Sequence, residues 1–179
     1  MIIGISGKRG TGKSVSADHL VKKHKFIKLS FADDLRALAK QMFPFTDLDF
    51  NSPGRKEKPW KTYEWSPRDF LLHLGEFGRY HDKDYWLKRA LAKCKDSPHI
   101  NYVIDDVRFI NEADTIRFHS GKIIRIERYE KHNPYGKNLD IPSETEMDDY
   151  KFDFTVERVW NLAMENLYKQ LDIAMEDLK

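Results

Sequence analysis

The run Gly7-Lys8-Arg9-Gly10-Thr11-Gly12-Lys13-Ser14 brings together the residue types that hold a polyphosphate, in the spacing G-x-x-x-x-G-K-[ST] of a phosphate-binding P-loop. Glycines there let consecutive backbone N–H groups turn inward around phosphate oxygens, and the N-terminus of a following helix adds a favourable dipole. Lys13 would neutralise the outer phosphates and the Ser14 hydroxyl would ligate Mg²⁺, with Val15 opening the helix. A second group lies in Ile104-Asp105-Asp106-Val107-Arg108-Phe109-Ile110-Asn111-Glu112. A carboxylate behind an apolar strand can reach the same Mg²⁺. Asp106 is the candidate, with Asp105 the alternative if the register differs by one; the alternative for the whole group is a solvated turn with a surface Arg–Glu pair. Arg108 could face a transferred phosphoryl group, and Glu112, one helical turn on, could orient that guanidinium. A third group runs from Ser66-Pro67-Arg68 through His73, Gly75, Glu76, Gly78 and Arg79 to Trp86. Arg68 and Arg79 can take a monophosphate bidentately. Glycine inside a helix costs about 1 kcal/mol relative to alanine, so Gly75 and Gly78 point to a packing or binding constraint. Trp86 reads as a core residue or as a stacking platform for a ligand.

Positioning these groups requires strands alternating with helices. Met1 to Ser6 is an apolar strand, and Val15 to Lys23 has helical spacing; Phe26 to Phe31 alternates as a second strand. A helix from Leu35 to about Phe43 stops at Pro44, and Phe45 to Trp65 is irregular, with the basic cluster Arg55, Lys56, Lys58 and Lys61. Ser66 and Pro67 start another helix as N-cap and first residue, and a further helix carries Trp86, Leu87, Ala90 and Leu91. Strands at Ile100 to Ile104, Lys122 to Ile126 and Phe152 to Val156 follow, with helices at Asn111 to His119 and Val159 to Leu178. The order predicts a three-layer α/β/α fold with a mainly parallel sheet of about five strands, whose ligands bind at the carboxyl ends of strands. The expected organisation is a single domain over 1–179: a core of 1–44 and 98–179, a helical acceptor-binding insertion at about 45–97 and a lid at about 127–150.

Bulk composition narrows the class. In 179 residues, 40% are hydrophobic and 34% charged, as in a globular chain able to bury a core. A net charge of +2 argues against nucleic acid or an anionic membrane as partner. The single cysteine, Cys94, excludes an internal disulfide. No apolar run approaches membrane-spanning length, and the first strand begins at the N-terminus, so the chain is expected to lack a signal peptide and to be cytoplasmic.

Together these stretches resemble the deoxynucleoside monophosphate kinases of bacteriophages, within the P-loop nucleoside monophosphate kinase group. The resemblance rests on Gly4 to Ser14, Ser30-Phe31-Ala32-Asp33 with Leu35, Lys56-Glu57, and Ser66-Pro67-Arg68 with Leu74-Gly75-Glu76, Arg79 and Trp86. It continues through Asp106-Val107-Arg108-Phe109 with Asn111-Glu112, and Ile124 to Arg128, with Ser143-Glu144 and Phe152-Asp153 as weaker echoes. It implies transfer of the ATP γ-phosphoryl to a dNMP, giving dNDP and ADP, in the host cytoplasm if the source is viral. ATP and Mg²⁺ are the implied cofactors, and monomer and homodimer both stay open. It implies Lys13, Arg68, Asp106 and Arg108 as catalytic, with Ser14 and Asp106 on the metal. Phe31, Asp33, Arg68, Gly75, Glu76, Arg79, Trp86, Arg108 and Glu112 would serve the acceptor. Gly7 to Val15 would bind ATP, covered by Arg125 and Arg128 as lid arginines; for those two the alternative is a basic strand end facing solvent. The chain departs from the family where Ser14 replaces an aspartate common after the loop lysine, and where Thr155-Val156-Glu157 replaces a strand ending in asparagine. The competing readings are a P-loop kinase of the dephospho-CoA or phosphomevalonate type, and a non-catalytic nucleotide switch. A guanine-reading Asn-Lys-x-Asp motif is missing from the sequence, which disfavours a GTPase.

Overall fold

A computed structural model of the chain describes residues 1–95, 97, 99–129, 142–159 and 164–178. They divide into two compact units, Met1–Ser30 with Cys94–Lys179, and Phe31–Lys93. The second unit therefore takes in the helix at its N-terminal edge, which the sequence reading assigned to the core.

The first unit is built on β1 (Ile2–Ser6), β2 (Ile27–Leu29), β3 (Tyr102–Val107), β4 (Lys122–Tyr129) and β5 (Phe154–Val159). They form one sheet in the order β2-β3-β1-β4-β5, with every pairing parallel. Its helices are α1 (Lys13–His24), α7 (Ile110–Phe118), α8 (Pro142–Thr145) and α9 (Met164–Asp177). Alternation along β1 sends Ile3 and Ile5 to the core that α1 and α9 close with Ala17, Leu20, Leu167, Leu171 and Ala174. Each isoleucine or leucine so buried contributes about 1.5–3 kcal/mol. Gly4 points the other way, toward Ile123 and Ile116 of α7, where a Cβ would come within 2.8 Å of Ile123 Cδ1. Helices thus cover both faces, as the α/β/α reading expected.

β4 and β5 run further than the periodicity indicated, to Tyr129 and Val159, because each extra residue of one pairs with one of the other, Glu127 with Glu157 and Arg128 with Arg158. Val159, expected to start the last helix, accordingly ends this strand. β3 also runs on to Val107, so both aspartates lie within it.

The second unit consists of α2 (Phe31–Met42), α3 (Asp47–Asn51), α4 (Pro53–Lys56), α5 (Pro67–His81) and the start of α6 (Tyr85–Lys95). The stretch read as irregular holds α3, which starts with a Thr46/Asp49 capping box, and α4. One turn of helix is too short to show a period. Its aromatics form a core instead: Phe45, Phe50 and Trp60 are buried with Ala39, and Phe43, Trp65 and Phe70 pack around them. Among the described residues no helix is long and apolar enough to cross a membrane.

Candidate active site

The phosphate loop joins the carboxyl end of β1 to the N-terminus of α1. Its shape depends on glycine: Gly7 has φ +153°, and a Cβ there would lie 2.6 Å from the Ile126 carbonyl oxygen and from Thr11 Oγ1. Gly12 sits at the N-cap of α1 with φ 108° and ψ 18°, a conformation costly for an L side chain. Within the loop, Lys13 Nζ donates to the carbonyls of Gly7 (2.6 Å) and Lys8 (2.9 Å), and the Thr11 hydroxyl to Lys8 O (2.9 Å). Burial, aided by the charge of Arg108, pushes the Lys13 pKa down to about 7, against the opposing pull of Glu144, Asp105 and Asp106. Ser14 and Val15 are exposed in the first turn of α1.

Two arginines hold the outer side of the loop. Arg128 Nη1 donates to Gly10 O (2.7 Å), and Arg158 Nη1 to Thr11 O (3.4 Å) while lying against Gly12. They are register partners on β4 and β5. Sequence reasoning missed Arg158. The available signal was a cation continuing the phase of Phe154 and Val156 at the carboxyl end of a strand. Arg125 takes a different place from the lid position expected of it. It is 6% exposed, donates to Ser6 Oγ (3.3 Å) and Asp148 Oδ1 (3.1 Å), and its guanidinium lies 5.2 Å from the Phe152 ring centre. Residues 130–141 of the expected lid lie outside the described residues.

The two aspartates of β3 sit on a register shift: Gly4 pairs with Ile104 and Ser6 with Val107, so Asp105 and Asp106 together oppose one residue of β1. Such a bulge re-aims side chains at a sheet's functional end. Asp105 is drawn into an ion pair with Lys28 Nζ (3.0 Å), which also reaches Asp18 (3.0 Å). Asp106 is half-buried and accepts the Ser30 hydroxyl (2.6 Å). Ser14 and Asp106 both offer oxygen, which suits a hard divalent cation.

Arg108 follows directly. Its guanidinium is held by Glu144 Oε1 (2.5 Å) and the Ser143 carbonyl (3.3 Å), not by Glu112. Glu112 instead accepts the main-chain N–H groups of Arg108 (2.8 Å) and Phe109 (3.1 Å), capping α7; burial pushes its pKa up to about 8 against those hydrogen bonds. Glu144 is buried at 5% exposure, and its Oε2 accepts the loop N–H of Arg9 (2.8 Å). Burial opposes its ionisation, but the Arg108 charge and hydrogen bond outweigh that and hold the carboxyl below the ordinary range.

The remaining expected residues belong to the helical unit. Phe31 is buried at the start of α2, and Asp33, in its first turn, pairs with Arg36 (3.3 Å). Ser66 caps α5 in a box with Asp69, and Arg68 pairs with Glu57 (2.8 Å). Glu76 is exposed; the Arg79 guanidinium folds back over Gly75, with Nη2 3.2 Å from where a Cβ would be. Trp86 resolves toward the interior of its unit. It is 6% exposed, its Nε1 donates to Gly75 O (3.0 Å), and a Cβ on Gly78 would meet that nitrogen at 2.6 Å. Gly78 leaves the room for this indole, and the Gly75 carbonyl accepts its N–H.

A parallel sheet with a glycine-built phosphate loop, an inward lysine and a bulged aspartate strand at one end defines a P-loop nucleotide-binding domain. No protein-family model matches the chain. It is 31% identical over 192 residues to a protein of Acanthamoeba polyphaga mimivirus named "Putative deoxynucleotide monophosphate kinase", covering 96% of this chain and 94% of the relative. The chain belongs to that deoxynucleotide monophosphate kinase family; the relative comes from mimivirus rather than from a bacteriophage. Among solved structures, the dephospho-CoA kinase of Campylobacter jejuni superposes with a TM-score of 0.52 at 12% identity, covering 99% of this chain and 97% of its own. A Thermus thermophilus protein does so at 0.52 and 14%, covering 100% and 98%. At such identities these two likenesses speak for the fold alone.

Proposed function

We propose that the protein transfers the γ-phosphoryl group of ATP to a deoxynucleoside monophosphate, yielding ADP and the diphosphate. The observation that carries this reading is the relationship to the mimivirus protein over nearly the whole of both chains. The loop supports it, since Lys13 and Arg108 bring two positive charges to the end where β1 and β3 finish. An acceptor phosphate oxygen attacks the γ phosphorus, and the bond to the β–γ bridging oxygen breaks to release ADP. Such chemistry asks the protein mainly for positioning and charge neutralisation. Lys13 and the loop amides bind the donor phosphates, and Arg108 meets the charge spread over the transferred group. Ser14 and Asp106 would hold Mg²⁺, which neutralises phosphate charge when bound. Arg128 and Arg158 hold the Gly10 and Thr11 carbonyls of the loop. Arg68 and Arg79 supply the positive charge for an acceptor monophosphate, with Phe31, Asp33 and Glu76 as the side chains that would read the nucleoside.

The test is ADP formation by the purified protein with Mg-ATP and, separately, each NMP, each dNMP and dephospho-CoA. Acceptor-dependent ADP with one or more dNMPs is expected. Turnover confined to dephospho-CoA, or none with any nucleotide, would overturn the substrate assignment.

A further inference from the structure

Glu144 is the charged group that the chemistry above leaves unused, although it touches both halves of the phosphoryl site. One oxygen takes the Arg9 amide of the loop (2.8 Å) and the other the Arg108 guanidinium (2.5 Å), while Ser143 O adds a second acceptor for the same Nη1 (3.3 Å). Four residues on, Asp148 makes a parallel bridge, accepting from Lys8 Nζ (2.8 Å) and Arg125 Nη2 (3.1 Å). Two carboxylates one helical turn apart therefore tie α8 and the turn after it to consecutive loop residues. Arg108 leaves the end of β3 on a long flexible stem, and ordering such a stem costs rotamer entropy. A buried carboxylate fixed at its other oxygen by the loop backbone removes that freedom before substrate arrives.

We propose that Glu144 is a positioning residue for phosphoryl transfer: it fixes the Arg108 guanidinium at a set height against the Arg9 amide of the phosphate loop. The inference rests on the transfer role given to Arg108 above. Its charge is specific to the task, because it balances the cations that the loop and β3 bring together. Without it Arg108 still neutralises phosphate, but must be ordered in each turnover.

The test is a double-mutant cycle in kcat and in KM for ATP, with the acceptor that the wild type turns over best. Glu144→Ala should lower kcat about 100-fold, the scale of a misplaced catalytic group, with KM for ATP within about threefold. Glu144→Gln keeps one acceptor oxygen and turns the other into an N–H donor, so it can hold the Arg9 amide or the Arg108 guanidinium but not both, and should fall between wild type and alanine. In an Arg108→Ala background Glu144→Ala should add almost nothing, since a residue that acts only through Arg108 has nothing left to position. An unchanged kcat, an equal loss in both backgrounds, or a lower KM for ATP at full kcat would each overturn the proposal; the last would make Glu144 a competitor of phosphate. Nitrogen-15 spectra of the arginine side chains keep the test independent of the substrate reading. In wild type a slowly exchanging Nη signal, absent from Arg108→Lys, should be lost in Glu144→Ala. If no nucleotide accepts phosphate yet that signal behaves so, the substrate reading fails and the positioning contact stands. If the signal persists in Glu144→Ala, the contact itself is refuted.

Discussion

At the scale of single residues, the surroundings of Lys13 set how it titrates. Burial and Arg108 lower its pKa to about 7, so the free protein loses that charge as pH rises through neutrality. ATP affinity measured by equilibrium binding should be flat below about pH 7 and weaken above it, since only the ammonium form attracts phosphate. Lys13→Ala should abolish turnover, remove that inflection and leave the melting temperature nearly unchanged. Retained turnover would refute the phosphate role. Gly78 offers a check in the helical unit. Gly78→Ala would push a methyl group into Trp86 Nε1 and should destabilise by about 1–3 kcal/mol in denaturant titration, the usual cost of overpacking. The loop between β1 and α1 was legible because its pattern needs only its own residues and a neighbouring strand end. The partner of Arg108 was not, because Glu144 lies 36 positions away in sequence.

At the scale of elements, pairings decide what local pattern leaves open. β4 and β5 extend together, and only that extension aims Arg128 and Arg158 at the loop. The bulge in β3 likewise separates Asp105, committed to Lys28, from Asp106, a choice that alternation alone left at one residue either way. Arg158→Ala should weaken ATP binding with little loss of stability, because it frees the Thr11 carbonyl and a neighbour of Gly12 at the loop's edge; a drop in stability with unaltered affinity would speak against it. Helices α1 and α9 are joined by Asp172, which takes His19 (2.9 Å), His24 (2.8 Å) and Lys23 (2.7 Å). Burial works against the carboxylate, but these hydrogen bonds win and lower its pKa well below the ordinary value. The sign follows: the depressed pKa contributes stability above the ordinary carboxylate range, lost as pH falls through the folded value. Asp172→Asn should therefore cost about 1–2 kcal/mol near neutral pH, with the difference from wild type shrinking in acid, as followed by urea melts across pH.

At the scale of the whole molecule, two hydrophobic cores stand behind the two units. The sheet core rests on aliphatic residues whose periods of two and 3.6 are visible in the sequence. The aromatic core of Phe45, Phe50 and Trp60 lies in a stretch with no period at all. Phe45→Ala should cost about 3–5 kcal/mol, and hydrogen exchange should show the loss of protection concentrated in α2, α3 and α5. Uniform loss across the sheet would contradict separate cores. By itself the sequence determined the phosphate loop, the alternation of strands and helices and hence the parallel sheet, and the residue types fit for phosphoryl transfer. Those follow from contacts within one or two turns of chain. Only the tertiary structure decided which aspartate is committed to Lys28, that the Trp86 indole donates to the Gly75 carbonyl, that Arg125 pairs with Asp148, and that Glu144 holds Arg108. Each of these depends on which distant side chain arrives opposite, and burial, charge and register settle that only once the sheet has formed.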